Sequence, residues 1–141
     1  MDKKFTALIG IFFLSFVLFA TIVVFRAPLT SLTRASEEQN PSAEFSRMII
    51  FPLSLPADGK SESTITVFVA NLKQKPLPNK VISVFTTLGE FKQQSAVSEG
   101  VNAKAEFQLS SSVPGIATVS VTLDNNVKLK PVTIEFTEVN Q

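Results

Sequence analysis

The residues able to do chemistry fall in a few short segments. Asp58 stands beside Gly59 in Pro56-Ala57-Asp58-Gly59, where its carboxylate could serve as an oxygen ligand. A calcium loop needs several oxygen ligands at short spacing, and Asp58 is alone, so the segment reads as a structural turn. Asp124-Asn125-Asn126 offers more oxygens but no neighbouring Glu to complete a ligand set, and its composition is that of a hairpin turn. Lys60, Lys73, Lys75 and Lys80 are candidates for a basic patch against a membrane or glycan, with solvated loop lysines as the plainer reading. Phe68 falls on the opposite face from Ile65, Val67 and Val69. It serves either as an exposed contact residue or as a ring tucked under a neighbouring loop.

What is missing narrows the function further. The chain has no His, Cys, Trp or Tyr. Zinc and transition-metal sites lose their usual ligands, and thiol, Cys-His and Ser-His-Asp chemistry is excluded by inventory. No disulfide can brace the fold. The formal net charge is +1, with no basic run interleaved with aromatics, so nucleic acid is not an expected partner. A catalyst would have to work through Asp, Glu, Lys or Ser alone. The chain is expected not to be an enzyme, with no catalytic, cofactor-binding or metal residues assigned and no specific binding residue identified.

Residues 5–25, FTALIGIFFLSFVLFATIVVF, contain no charge and no proline. As a helix at about 1.5 Å per residue this run would reach about 31 Å, the thickness of a bilayer's hydrocarbon core. Thr6, Ser15 and Thr21 are its polar side chains, and their hydroxyls can bond back to helix carbonyls. Residues 5–25 are therefore expected to be a transmembrane signal-anchor contacting the lipid bilayer, behind a cytoplasmic tail of residues 1–4. Lys3 and Lys4 balance Arg26 and Arg34. The free amino terminus tips the orientation to N-inside, with the C-terminal part exported. A cleaved secretory signal competes, although the nearest small-x-small site, Thr33-Arg34-Ala35, lies well past the apolar run. A prepilin leader is weaker still. Ser15 stands where a Glu is needed after Gly10, and Pro28 interrupts a long helix. Residues 26–45 are rich in Ser, Thr, Pro, Glu and Gln, which predicts a flexible linker, with a short helical stub over 33–39 as the alternative.

Beyond the linker the pattern is strand, turn, strand. Residues 47–54, 63–72, 80–87 and 127–139 read as strands, the first broken at Pro52 as an edge strand can be. Residues 88–91 read as a turn. Ala103, Ala105, Phe107 and Leu109 share one face of a strand. After a corner at Pro114-Gly115, Ala117, Val119, Val121 and Leu123 share another. This alternation gives each sheet one buried and one wet face. The fold class is all-β: an antiparallel sandwich of about seven strands over residues 46–138, preceded by one N-terminal transmembrane helix.

LPADGKSESTITVFVAN followed by KPLPNKVISVFTTLGEF resembles the start of a bacterial immunoglobulin-like domain of group 1, the invasin/intimin type. Ala105, Phe107 and Leu109, then Pro114-Gly115-Ile116-Ala117-Thr118-Val119, are similar to that family's second half. The resemblance covers residues 47–137. It departs where Ser98-Glu99-Gly100-Val101-Asn102 replaces an Asp-rich turn and where Asn71-Leu72-Lys73-Gln74-Lys75 replaces an Asp-x-x-Gly-Asn segment. What it implies is an Ig-like sandwich used as a surface module, without naming a ligand. The expected function is a membrane-anchored, exported module in envelope or cell-surface adhesion, or a structural spacer, its partner an envelope or surface protein or glycan. The alternative is a secreted or filament-assembled subunit whose N-terminal segment is a cleaved signal.

Overall fold

The computed structural model describes the backbone of residues 3–139, and the side chains of residues 4–23 and 38–139. The chain divides into two compact units, one ending at Glu37 and the other starting at Glu38.

The first unit is helical. Helix α1 runs Lys3–Gln39. Its apolar window, Lys4–Val23, is 20 residues long and is unburied among the described residues. Thr21 Oγ1 donates to the Val17 carbonyl at 2.7 Å, so this hydroxyl is satisfied within the helix. Over 26–45, where a linker is expected, the helix continues through Pro28 as far as Gln39. Proline removes one intrahelical bond without forbidding helical φ, and Leu, Arg, Ala, Glu and Gln in the following residues are good helix formers. The side chains of Arg26, Pro28, Glu37 and the Thr33-Arg34-Ala35 cleavage candidate lie outside the described residues, as do residues 1 and 2 of the expected tail.

The end of the expected linker is built into the second unit. Ser42 and Ser46 are buried. The Ser42 N–H donates to the Ala70 carbonyl at 2.8 Å, and the Ala70 N–H donates to Ser46 Oγ at 3.1 Å. These bonds satisfy backbone groups where a strand ends, which a composition-based linker reading does not anticipate.

The second unit has ten strand segments: β1 (Arg47–Phe51), β2 (Ser54–Pro56), β3 (Ser63–Phe68), β4 (Val81–Thr86), β5 (Glu90–Phe91), β6 (Ser95–Val97), β7 (Lys104–Ser110), β8 (Gly115–Leu123), β9 (Val127–Lys128) and β10 (Val132–Thr137). They form two sheets. One has the order β1-β3-β7-β5; the other has β2-β10-β8-β4-β6, with β9 paired to β8. All pairings are antiparallel except β2 with β10.

The chain changes sheet at every connection from β1 to β8, and two of these crossings are short corners that contain a proline. Pro52, preceded by a cis peptide bond, separates β1 in one sheet from β2 in the other. Ser111–Pro114 separate β7 from β8 in the same way, so the alternating runs at 103–109 and 117–123 face each other across the core. Gly115 sits at that corner with φ +148, and a Cβ there would meet Leu88 Cδ2 at 3.0 Å. Segment 88–91, expected to be all turn, contributes β5; two residues are too short to display a period.

The core is the interdigitated inner faces. Ile65, Val67 and Val69 of one sheet and Ile82, Val84, Val119, Val121, Ile134 and Phe136 of the other are almost fully buried. Phe107 meets Phe91 edge-on with ring centroids 6.4 Å apart. Ala105 and Ala117 supply small partners for these larger groups, as sheets about 10 Å apart require. Among the described residues, every buried side-chain nitrogen or oxygen has a hydrogen-bond partner.

Candidate interaction surface

The loop residues singled out for chemistry are used up in holding loops. Asp58 accepts from the backbone N–H groups of Lys60 at 2.8 Å and Ser61 at 2.6 Å, and from Ser61 Oγ at 2.8 Å. The Ser61 backbone bond, then that of Lys60, lower its pKa from 3.8 to about 2. Its oxygens are therefore committed to the turn joining β2 to β3. Asp124-Asn125-Asn126 forms a 3₁₀ turn between β8 and β9, with Asn125 and Asn126 at φ +60 and +59. Asn tolerates this left-handed region better than other non-glycine residues, which accounts for the pair. Among the described residues no three His, Cys, Asp or Glu side chains converge to hold a metal.

The four lysines do not assemble. Lys60 precedes β3 while Lys73 follows it, so they lie at opposite ends of about 20 Å of strand. Lys73 forms an ion pair with Glu38, and Lys80 reaches Asp124 at 3.5 Å. Phe68 is half-buried on the outer face of its sheet, in register between Arg47 of β1 and Lys104 of β7.

Asn71 is a residue whose role the sequence reading missed. Its side chain is almost fully buried, accepts the backbone N–H groups of Lys73 and Lys75 at 2.9 Å each, and donates to the Glu38 carbonyl at 2.9 Å. It ties the connection after β3 to the domain's entry. An Asn followed by loop residues was the available signal, since Asn side chains bond to backbone groups two residues on.

Surface capable of contact therefore lies on faces and edges. On the outer face of the larger sheet, Phe85 is exposed and lies opposite Ser120, while Ser83 lies between Thr122 and Ser95. Lys128 and Asn126 border this shallow hollow. One ring for stacking amid hydroxyls that both donate and accept suits a polar partner. Where the β6 and β7 edges approach each other, the Gln93 amide donates to the Glu106 carbonyl at 3.3 Å and Lys104 pairs with Glu106 at 2.8 Å, so that edge is partly covered.

Two sheets, with the chain passing between them at Pro52 and again at Pro114, define an immunoglobulin-like sandwich. The family model for the bacterial Ig-like domain (group 1) matches residues 46–137, and the chain belongs to that family. Among solved structures it is similar to invasin, described as a bacterial integrin-binding protein. That match has 27% identity and TM-score 0.64, covering 72% of this chain and 20% of the other. The D0-D1 domain of intimin matches with 26% identity and TM-score 0.58, covering 71% of this chain and 50% of that one. A C-terminal intimin fragment in complex with the translocated intimin receptor matches with 25% identity and TM-score 0.54, over 67% and 32% of the two chains. The chain thus spans half or less of the length of these proteins. A search of the curated proteins finds no match. The fold and family expected from the sequence are borne out.

Proposed function

We propose that residues 5–25 hold this protein in a membrane and that residues 46–138 are presented outside it as a non-catalytic module for adhesion or spacing. The observation that carries this reading is one chain joining an unburied apolar helix, Lys4–Val23, to a domain of the invasin/intimin kind. A soluble protein rarely leaves 20 apolar residues uncovered. Invasin's description as integrin-binding and the intimin fragment's complex with its receptor support a protein partner for modules of this family. The face around Phe85 supplies a polar contact surface, and the partner is an envelope or surface protein or glycan.

Sodium carbonate extraction of membranes, followed by mass spectrometry of the protein's amino terminus, tests the anchor. An amino terminus at Met1 or Asp2 on protein retained in the pellet is expected. A terminus near Ser36 on soluble protein overturns it in favour of a cleaved signal.

A further inference from the structure

The strands at the sheet edges are not alike. β2, β5, β6 and β9 are two or three residues long, whereas β1 has five. Proteins guard edges by shortness, charge or proline. β1 reads Arg47-Met48-Ile49-Ile50-Phe51, so four uncharged apolar residues follow its one charge. Ile49 is 57% and Phe51 78% exposed.

The backbone polarity of this edge follows from the ladder. The Val69 N–H donates to the Ala103 carbonyl at 3.0 Å, and β3 pairs with β7 in the register placing Val67 opposite Ala105. Odd-numbered residues of β3 therefore bond to β7, and Thr64, Thr66 and Phe68 bond toward β1. Their register partners Phe51, Ile49 and Arg47 bond to β3. That leaves Met48 and Ile50 with N–H and C=O groups pointing off the sheet, where no strand lies among the described residues.

We infer that β1 pairs antiparallel with β1 of a second copy of this chain, about a twofold axis at Ile49. In that register Met48 of each copy exchanges both backbone bonds with Ile50 of the other, giving four bonds without a vacancy. Ile49 meets its own copy at the close, non-hydrogen-bonded position, and the Arg47 guanidinium lies against the Phe51 ring across the interface. Neighbouring registers are worse. One sets Met48 against Pro52, which has no N–H to donate. The other sets Ile50 against Ser46, whose backbone N–H already donates to the Ser42 carbonyl at 2.9 Å. The contact is isologous, so it closes as a dimer with one continuous eight-stranded sheet built from two four-stranded ones. Five residues per copy fall well short of the ~800 Å² per partner of a standard interface, so the pairing is transient and is best trapped covalently. It requires only that two chains meet, and holds whether or not a bilayer anchors them.

The full chain has no cysteine, which makes the test direct. Opposed non-hydrogen-bonded residues sit about 4.5 Å apart at Cα, within disulfide reach, whereas Phe51 and its own copy are separated by about 13 Å of strand. Under mild oxidation Ile49→Cys should give disulfide dimers at least tenfold above Val101→Cys, a turn position that is 93% exposed. Phe51→Cys alone should not, but mixing it with Arg47→Cys should. Adding Ile49→Lys to that mixture should cut the yield at least fivefold with thermal unfolding unchanged, since Ile49 is exposed. Equal yields from Ile49→Cys and Val101→Cys, or from Ile49→Cys and Phe51→Cys, overturn the inference. So does Ile49→Cys trapping a different protein in place of its own copy.

Discussion

Asp58 and Asn71 show how individual polar residues here act on the backbone rather than on a ligand. Folding lowers the Asp58 pKa from 3.8 to about 2, so its stabilising contribution is complete above 3.8 and is lost as pH falls toward 2. Asp58→Asn keeps an acceptor but removes the charge. Thermal unfolding measured at several pH values should therefore show wild type losing an increment between pH 4 and 2 that the variant does not lose. Asn71 makes three side-chain bonds while almost fully buried. Asn71→Ala leaves two backbone donors and a carbonyl unpaired, and should cost about 3 kcal/mol in denaturant unfolding. Phe107→Ala opens a cavity between the sheets and should cost about 3–5 kcal/mol by the same measurement. Phe107 was legible from alternation with Ala105 and Leu109. For Asn71 the bonds to Lys73 and Lys75 are local enough to anticipate, whereas the one to the Glu38 carbonyl, 33 residues away, is not.

At the scale of elements, strands long enough to show a two-residue period could be read directly: β3, β7, β8 and β10 bury the alternate residues expected. β5 and β6 are too short for a period, and their pairing is set by β7 and β4. The parallel pairing of β2 with β10 joins residues about eighty apart, which local pattern cannot reveal. Helix α1 runs past the boundary that Pro28 suggests, because the helix formers after that residue outweigh the one bond it removes. Turns give a sharper test. Gly89 has φ +83, and a Cβ would lie 2.5 Å from the Ser110 carbonyl oxygen; Gly100 has φ +74 and open space around it. Gly89→Ala should lower the unfolding midpoint clearly more than Gly100→Ala, since the second meets only the cost of left-handed backbone, about 1 kcal/mol. Equal losses would mean that the close approach of β5 to the end of β7 is looser than described.

For the whole molecule, composition and resemblance together indicated an Ig-like surface module, and the lack of His and Cys removes imidazole and thiol chemistry. The contact surface was not legible, since Phe85 and its hydroxyl neighbours come together only through strand pairing. The central claim is that the domain stands outside a membrane held by the N-terminal helix. Labelling of the single-cysteine variant Val101→Cys with a membrane-impermeant maleimide tests it most directly, because that side chain is 93% exposed in a turn of the domain. In spheroplasts carrying the full chain, labelling should reach the lysed-cell level without lysis. Labelling seen only after lysis would place the domain inside and contradict the account.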